Sequence, residues 1–402
     1  MTCCQGARQV SSLLQMTRQQ RDLDIAVLGA TGFTGSLTAE YLAAHGSGAA
    51  RWAVAGRNRG KLEALRDRLG VDVQILGADV GDQASLRRLA EASRVVVTTV
   101  GPYLRYGEPV VAACAEAGTD YADLSGEPEF VDRMYVRHHA TAQGTGARLV
   151  HACGFDSVPH DLGALFTVQH LPQDRPIRLR GYVSASGLPS GGTVASAVTS
   201  FSRFGQAAAA HAERRRAEPG GGGRRVRTVV GRPGYDRDVG AWVLPLPTID
   251  PQIVVRSARA LDRYGPDFSY SHFVAVGNPV AAAALTAAMA GTFALAQVPA
   301  TRKLLLGLRP PGGGPTPEQR EKAWFRVRFV GEAGRRRVVA EVAGGDPGYG
   351  ETSKMLAESA LCLANDALPQ VAGQVTSAVA MGDALRARLE RAGISFRVLQ
   401  RD

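Results

Sequence analysis

Between Asp24 and about Val150, short apolar runs alternate with amphipathic stretches. Ile25–Leu28, Trp52–Ala55, Val73–Leu76, Val95–Val100, Asp120–Leu124 and Arg148–Ala152 read as strands. Gly60–Leu69 and Glu108–Ala117 are among the helices predicted between them. A strand that is apolar without alternation is buried on both faces, as in a parallel sheet. Strand–helix alternation then predicts a doubly wound α/β fold, whose ligands sit at the carboxyl ends of the strands.

After Leu162 the pattern changes. Ile177–Ser186 and Ala323–Glu341 predict strands of a second sheet. Trp324–Val330 and Arg335–Val342 predict a hairpin turning at Gly331-Glu332-Ala333-Gly334. Gly220–Gly223 and Pro310–Pro315 predict loops. Thr352–Ala364 repeats Met355, Leu356, Ala360 and Leu363 on one helical face, with Thr352 placed to cap it. A last helix over Gly382–Ala392 and a last strand over Ser395–Leu399 follow. The expected organisation is a disordered extension over 1–21, a doubly wound α/β domain over 22–160, a substrate domain of α+β type over 161–349, and C-terminal helices and a strand over 350–402. Phe273–Ala300 carries no charge. From Pro279 to Val298 it is long enough to span a bilayer, and Arg302, Lys303 and Arg309 follow. Alanine gives little membrane drive, so a buried or oligomer-forming helix is preferred to a monotopic membrane contact.

Gly29-Ala30-Thr31-Gly32-Phe33-Thr34-Gly35 joins the first strand to a helix carrying Leu37, Tyr41 and Leu42. Gly29 permits a sharp turn, Gly32 lets a pyrophosphate approach the backbone, and Gly35 lets the helix lie close to the strand. The helix then offers free N–H groups and a positive dipole end. The spacing G-x-x-G-x-x-G differs from the more familiar G-x-G-x-x-G, so the strand–turn–helix setting carries the assignment. Gly29, Thr31, Gly32, Phe33, Thr34 and Gly35 are expected to line a dinucleotide. The second strand ends Ala55-Gly56-Arg57-Asn58, with Arg59 and Lys61 near. An NAD site usually has a carboxylate there for the ribose hydroxyls. A guanidinium instead suits a 2′-phosphate, so the expected cofactor is NADPH, held by Arg57. Asp79 is placed either to bond the adenine amino group or to cap the helix beginning near Asp82–Ser85. Val100, Gly101 and Pro102 end the fourth strand where the chain passes the nicotinamide ribose. Ser125, Gly154 and Phe155, after the fifth and sixth strands, face the nicotinamide from the other side.

Candidate proton donors there are Tyr103, Tyr106, Asp156 and Cys153. Asp156 and Ser157 are equally placed to cap the next helix, and His160 reads as a helix-surface residue. Ser125, Asp123 and His151 are the right types for a hydrolase triad, but no G-x-S-x-G elbow frames a serine.

Length and charge narrow the partners. The chain has 402 residues, enough for two domains, and a formal net charge of +10. No aromatic-interleaved basic groove accompanies that charge, which favours acidic small molecules, a carrier protein or a lipid surface over nucleic acid. Cys3, Cys4, Cys114, Cys153 and Cys362 show no metal-ligand spacing, and their odd number suits a reducing cytoplasm. No metal site is expected. Met1–Gln20 is polar and does not read as a signal peptide.

Gly29–Gly35, Ala55-Gly56-Arg57, Val100-Gly101-Pro102-Tyr103, Leu124-Ser125-Gly126-Glu127 and Cys153-Gly154-Phe155-Asp156-Ser157-Val158-Pro159 resemble the saccharopine dehydrogenase-like superfamily. Within it the chain most resembles the actinobacterial trans-acting enoyl reductases. Gly345-Asp346-Pro347-Gly348-Tyr349 and Thr352–Ala360 resemble that group's C-terminal segment. The resemblance implies a Rossmann domain, a mixed α+β second domain and C-terminal elements returning to the first. It implies an NADPH-dependent reductase acting on polyketide or fatty-acyl thioesters in complex lipid synthesis, with a carrier protein or polyketide synthase as partner. A homodimer and a cytoplasmic enzyme touching the inner membrane face through 279–298 are compatible with it. Two other readings stay open. One is an oxidoreductase for a small imine or amino acid; the other is a non-catalytic, lipid-associated nucleotide-binding protein.

Overall fold

The computed structural model describes residues 21–46, 48, 50–186, 191–218, 223–307 and 314–402. Six strands come first: β1 (Leu23–Leu28), β2 (Trp52–Gly56), β3 (Gln74–Gly77), β4 (Ser93–Thr98), β5 (Asp120–Asp123) and β6 (Arg148–Val150). Then follow β7 (Ile177–Ala185), β8 (Arg225–Thr228), β9 (Gly234–Asp236), β10 (Ala241–Pro245), β11 (Asp267–Val276), β12 (Phe325–Ala333), β13 (Arg336–Gly344), β14 (Gly373–Val375) and β15 (Ser395–Arg401). The first sheet has the order β14-β6-β5-β4-β1-β2-β3, and every pairing in it is parallel. Its strand order reverses between β1 and β4, which makes the crevice at their carboxyl ends the expected ligand site.

All six β1 residues are buried, as the unbroken apolar run requires. One face of this sheet is covered by helices Gln83–Ala92, Glu108–Ala117 and Pro128–Thr145, which pack on one another. On the other face the late helix Gly350–Asn365 packs on β1, β4, β5 and the helix Phe33–His45. The C-terminal part of the chain thus returns twice to the first sheet, through this helix and through β14. The second sheet runs β15-β13-β12-β7-β11-β10-β9, with β8 pairing β11, and mixes parallel with antiparallel neighbours. Helix Val158–Val168 lies against β7, β12, β13 and β15 and is buried along almost its whole length.

Several local expectations change. The β12–β13 hairpin turns at Gly334-Arg335, because Ala333 pairs with Arg336 and Gly334 has φ +62°. Gly331 stays in the strand, opposite Val338. Thr352 does not cap its helix; Asp346 accepts the N–H groups of Gly348, Tyr349 and Gly350 instead. Helix Pro279–Gln297 is not buried: only Ala282 and Ala296 are covered, while Val280, Phe293 and Leu295 face outward. The predicted loops at 220–222 and 310–313, the cation Arg309, Cys3, Cys4 and the extension up to residue 20 lie outside the described residues. Arg21, the last residue of that expected extension, is ordered, and its guanidinium bonds the carbonyls of Ser93 and Ala117.

Candidate functional site

The glycine turn is built by contact as much as by conformation. Gly29 has φ +86°, and a Cβ there would lie 2.8 Å from Val100 Cγ2 and 2.9 Å from Thr99 Oγ1. A Cβ on Gly35 would run into the Gly29 carbonyl oxygen. Gly32 is exposed and begins the helix Phe33–His45, and no side chain caps that end. The first N–H groups of the helix therefore stay available to an anion at the positive dipole end. Thr31 is exposed, and Phe33 and Thr34 are half-buried at the same mouth. The Phe33 ring meets Tyr349 edge-on with centroids 4.7 Å apart. The Arg320 guanidinium stands 5.9 Å above the same ring.

Arg57 follows the end of β2 and is exposed. It makes no ion pair or side-chain hydrogen bond among the described residues. Asp79 accepts the Gly81 N–H at 2.9 Å, while Asp82 accepts the Ala84 N–H at 3.0 Å and caps the helix. The capping role is thus Asp82's, and Asp79 shapes the turn after β3.

On the other side, a buried polar knot ties the ends of β4, β5 and β6 together. Asp123 accepts N–H groups of Ser125 and Ala152, each at 2.9 Å, and the Tyr121 hydroxyl at 2.8 Å, and lies 2.7 Å from His151 Nδ1. Glu127 accepts the N–H groups of Tyr103 and Leu104 at 3.0 and 2.9 Å. Ser125 is fully buried, and its hydroxyl accepts the Glu127 N–H at 3.3 Å. No bond joins Ser125 Oγ to His151 among the described residues, so a hydrolase triad is not assembled. Gly101 and Pro102 are exposed and Val100 is half-buried beside them, so this strand end is open to a ligand. Gly154 is buried, and a Cβ there would sit 2.8 Å from Leu124 Cδ2. The Phe155 N–H donates to Thr352 Oγ1 at 3.1 Å. Ser125 and Gly154 therefore set the wall of the crevice rather than offering polar atoms to it.

The proton-donor candidates separate by burial. The Tyr103 hydroxyl donates to the Thr98 carbonyl at 3.1 Å and accepts the Leu124 N–H at 3.2 Å, with only 7% of the residue exposed. Burial pushes its pKa up, and so does the Asp123 charge. Cys153 is wholly buried, its thiol directed at the Val150 carbonyl, and burial pushes that thiol up as well. Tyr103 thus ties the end of β4 to the turn after β5, and the Cys153 thiol turns back on its own strand β6, so neither polar atom stands free at the crevice as a donor would. Asp156 keeps exposed surface and lies beside Gly126, where a Cβ would be 3.3 Å from Asp156 Oδ2. Burial first, and then the charge of Asp250, push its carboxyl up to about 7.

Asp250 was not legible as part of this site. It opens helix Asp250–Ala260 and is 2% exposed. Its Oδ1 accepts the Ser157 hydroxyl at 3.0 Å, and its Oδ2 accepts the Thr248 hydroxyl at 2.5 Å. His160 Nδ1 lies 3.3 Å from Oδ1, and His272 Nε2 lies 3.4 Å from Oδ2. The Tyr270 hydroxyl bonds His272 Nδ1 at 3.0 Å. His160 is therefore a buried residue and not a helix-surface one. Ser157 heads its helix, but its hydroxyl turns to Asp250 and caps nothing. Burial opposes the Asp250 charge, yet His160, His272 and the Thr248 hydroxyl outweigh it and hold the carboxyl well below the usual range. Burial pushes the His160 imidazole down to about 4 against the pull of Asp250. The ligand-type atoms of His160, Asp250 and His272 all lie within 4.8 Å of one another. Positions so far apart in sequence show no metal-ligand spacing.

Comparison with known proteins agrees with this geometry. Residues 25–150 match the family model of the saccharopine dehydrogenase NADP-binding domain. The chain is 36% identical to the trans-acting enoyl reductase of Mycobacterium ulcerans over 419 residues, covering 94% of this chain and 98% of the relative. A Mycobacterium tuberculosis protein named for the same activity is 40% identical over 424 residues, covering 95% and 98%. The chain belongs to the trans-acting enoyl reductase family. Among solved structures, apo saccharopine dehydrogenase (L-Glu forming) from Saccharomyces cerevisiae superposes with a TM-score of 0.55 at 10% identity. It covers 94% of this chain and 100% of that one, which is a likeness of fold.

This member of the family is an NADP-dependent oxidoreductase. Its residues fit the cofactor on physical grounds: a tight turn that a Cβ at Gly29 or Gly35 would force apart, a helix end without a capping side chain, and at the end of the second strand a guanidinium, Arg57, with no ion pair among the described residues. Arg320, Tyr349 and Gly314 were missed from sequence. They reach the turn only through the tertiary fold, where a Cβ on Gly314 would strike the Phe33 ring.

Proposed function

We propose that this reductase reduces the α,β-double bond of a polyketide or fatty-acyl thioester presented on a carrier protein or synthase. The full-length likeness to trans-acting enoyl reductases carries this reading. NADPH, when bound, supplies the hydride that adds to the β-carbon. Asp156 then gives its proton to the α-carbon and is left as a carboxylate, which takes a new proton from solvent on its exposed side. The Gly101 N–H after β4 and the open helix end hold the cofactor, with Arg57 selecting its phosphate. A reading as an imine or amino-acid reductase would use free arginines in the second sheet to bind a carboxylate. Within that sheet Arg180 is already paired with Asp236, Asp238 and Glu332, and Arg337 with Asp238, while Arg225 and Arg336, unpaired among the described residues, stand exposed at the first positions of β8 and β13. We read the uncharged, outward-facing helix Pro279–Gln297, followed by Arg302 and Lys303, as a contact with a lipid surface on the cytoplasmic side.

The test is turnover of trans-2-enoyl thioesters of coenzyme A, from four to eighteen carbons, followed as loss of NADPH absorbance. Deuterium from C4-labelled NADPH is expected at the β-carbon of the saturated product. NADPH binding with no turnover at any chain length would refute the enoyl assignment.

A further inference from the structure

Behind Asp156 lies a carboxylate shielded from solvent. Asp250 receives groups from three parts of the chain: Ser157 and His160 beside Asp156, Thr248 before its own helix, and His272 from β11. A buried anion is a poor way to hold a fold together, since desolvation takes back most of what pairing gives. Its place against the segment that carries Asp156 points to another role. Ser157 has φ +113°, a conformation that L residues rarely adopt. Its hydroxyl bond to Asp250 ties the strained residue immediately after Asp156.

We propose that Asp250 is a positioning residue for the proton-transfer half of the reaction: through Ser157 it fixes the turn that carries Asp156 beside Gly126, and it sets a negative charge behind that carboxyl. This rests on the reading of Asp156 as the acid. Two neighbouring carboxyls resist ionising together, so the better-anchored one keeps the charge and the other keeps its proton. Asp250 has two hydroxyl donors and two imidazoles; Asp156 has no hydrogen-bond donor among the described residues. The titratable groups packed around the pair are His160 from the following helix and His272 and Tyr270 from β11. With the His160 imidazole pushed down to about 4, its pull on Asp250 acts only in acid, and at neutral pH the Ser157 and Thr248 hydroxyls hold the Asp250 charge. Asp156 therefore stays protonated up to near neutrality, which is what an acid catalyst needs.

The experiment follows the Asp156 carboxyl by infrared difference titration, with Asp156→Asn identifying its band, in full-length wild type and in Asp250→Asn. The wild-type midpoint is expected near neutral pH. In Asp250→Asn, which removes the charge and keeps the shape, it moves to lower pH by at least about one unit. The descending limb of kcat against pH moves with it. Ser157→Ala, which leaves Asp250 intact but frees the turn, moves it the same way by less, and serves if Asp250→Asn does not fold. An unchanged midpoint overturns the proposal. So does a stoichiometric metal ion in the purified protein, because a cation held by His160, Asp250 and His272 would cancel the charge. If Asp156→Asn keeps full turnover while the midpoint still moves, the electrostatic coupling stands and the reading of Asp156 as the acid falls instead.

Discussion

Replacing Arg57 with alanine tests the phosphate-selecting contact proposed for it. Arg57 is exposed at the end of β2 and makes no ion pair or side-chain hydrogen bond within the described protein, so the substitution breaks nothing internal. Folding stability should change by less than about 0.5 kcal/mol. A charge-assisted hydrogen bond contributes about 1.5–3 kcal/mol. In solvent, with a screening length of about 8 Å at physiological salt, the lower half of that range applies. At about 1.4 kcal/mol per decade, NADPH affinity should fall roughly 10- to 30-fold. NADH has no 2′-phosphate, so its affinity should change less than about twofold. Isothermal titration of both cofactors, at low and at physiological salt, checks the difference; the NADPH loss should be larger at low salt. Equal losses for the two cofactors, or an unchanged NADPH affinity, would refute the phosphate assignment. Lys61 is exposed on the helix that follows, and the Arg57→Ala/Lys61→Ala pair shows whether it shares the contact.

Four other changes have definite expected outcomes. Gly35→Ala puts a Cβ onto the Gly29 carbonyl; it should destabilise the fold by about 1–3 kcal/mol in denaturant melts and abolish NADPH binding. Cys153→Ser keeps a small donor facing the Val150 carbonyl, so kcat should stay within about threefold while stability drops by about 1 kcal/mol; a hundredfold loss of kcat would return Cys153 to the chemistry. Asp156 has a folded pKa raised from the ordinary 3.8 to about 7, so the native state binds the extra proton between those values and stability is lost as pH rises through them. Melts of Asp156→Asn and wild type should therefore coincide near pH 4, and above pH 7 the variant should be more stable by on the order of a few kcal/mol. Phe293→Ser/Leu295→Ser should reduce flotation with anionic vesicles severalfold without altering NADPH affinity, and equal flotation would remove lipid contact from the reading.

The cofactor half of the crevice was readable because its constraints are local. Gly29, Gly32 and Gly35 sit within one turn: the positive φ of Gly29 and the closeness of Gly35 to the Gly29 carbonyl are local, although Gly29 also leaves room for Thr99 and Val100. Arg57 announces itself by where the second apolar run stops. Parallel strands buried on both faces likewise give unbroken runs, and β1, β2 and β4 stand where those runs predict. The second sheet was less legible. β9, β10 and β14 are three to five residues long and owe their pairing to distant strands. The exposed helix Pro279–Gln297 has the composition of a buried one, so composition alone did not show that it faces outward.

The proton side was legible only in part, for a different reason that bears on how the site works. Tyr103, Cys153 and Ser125 look chemical in sequence because they adjoin the strand ends. Yet each has its polar atom engaged by backbone from a neighbouring strand end or turn. Backbone groups at strand ends need partners when buried, and side chains one or two residues away are the cheapest donors and acceptors. Proximity in sequence therefore selects struts. A group that must keep a proton near neutral pH has the opposite requirement: few local partners, and a charge held against it from elsewhere in the chain. Asp156 meets the first condition and Asp250, ninety-four positions later, meets the second. The glycine turn of this reductase is written within single turns, whereas the acid proposed for it depends on Thr248, Asp250 and His272 folding against Ser157 and His160.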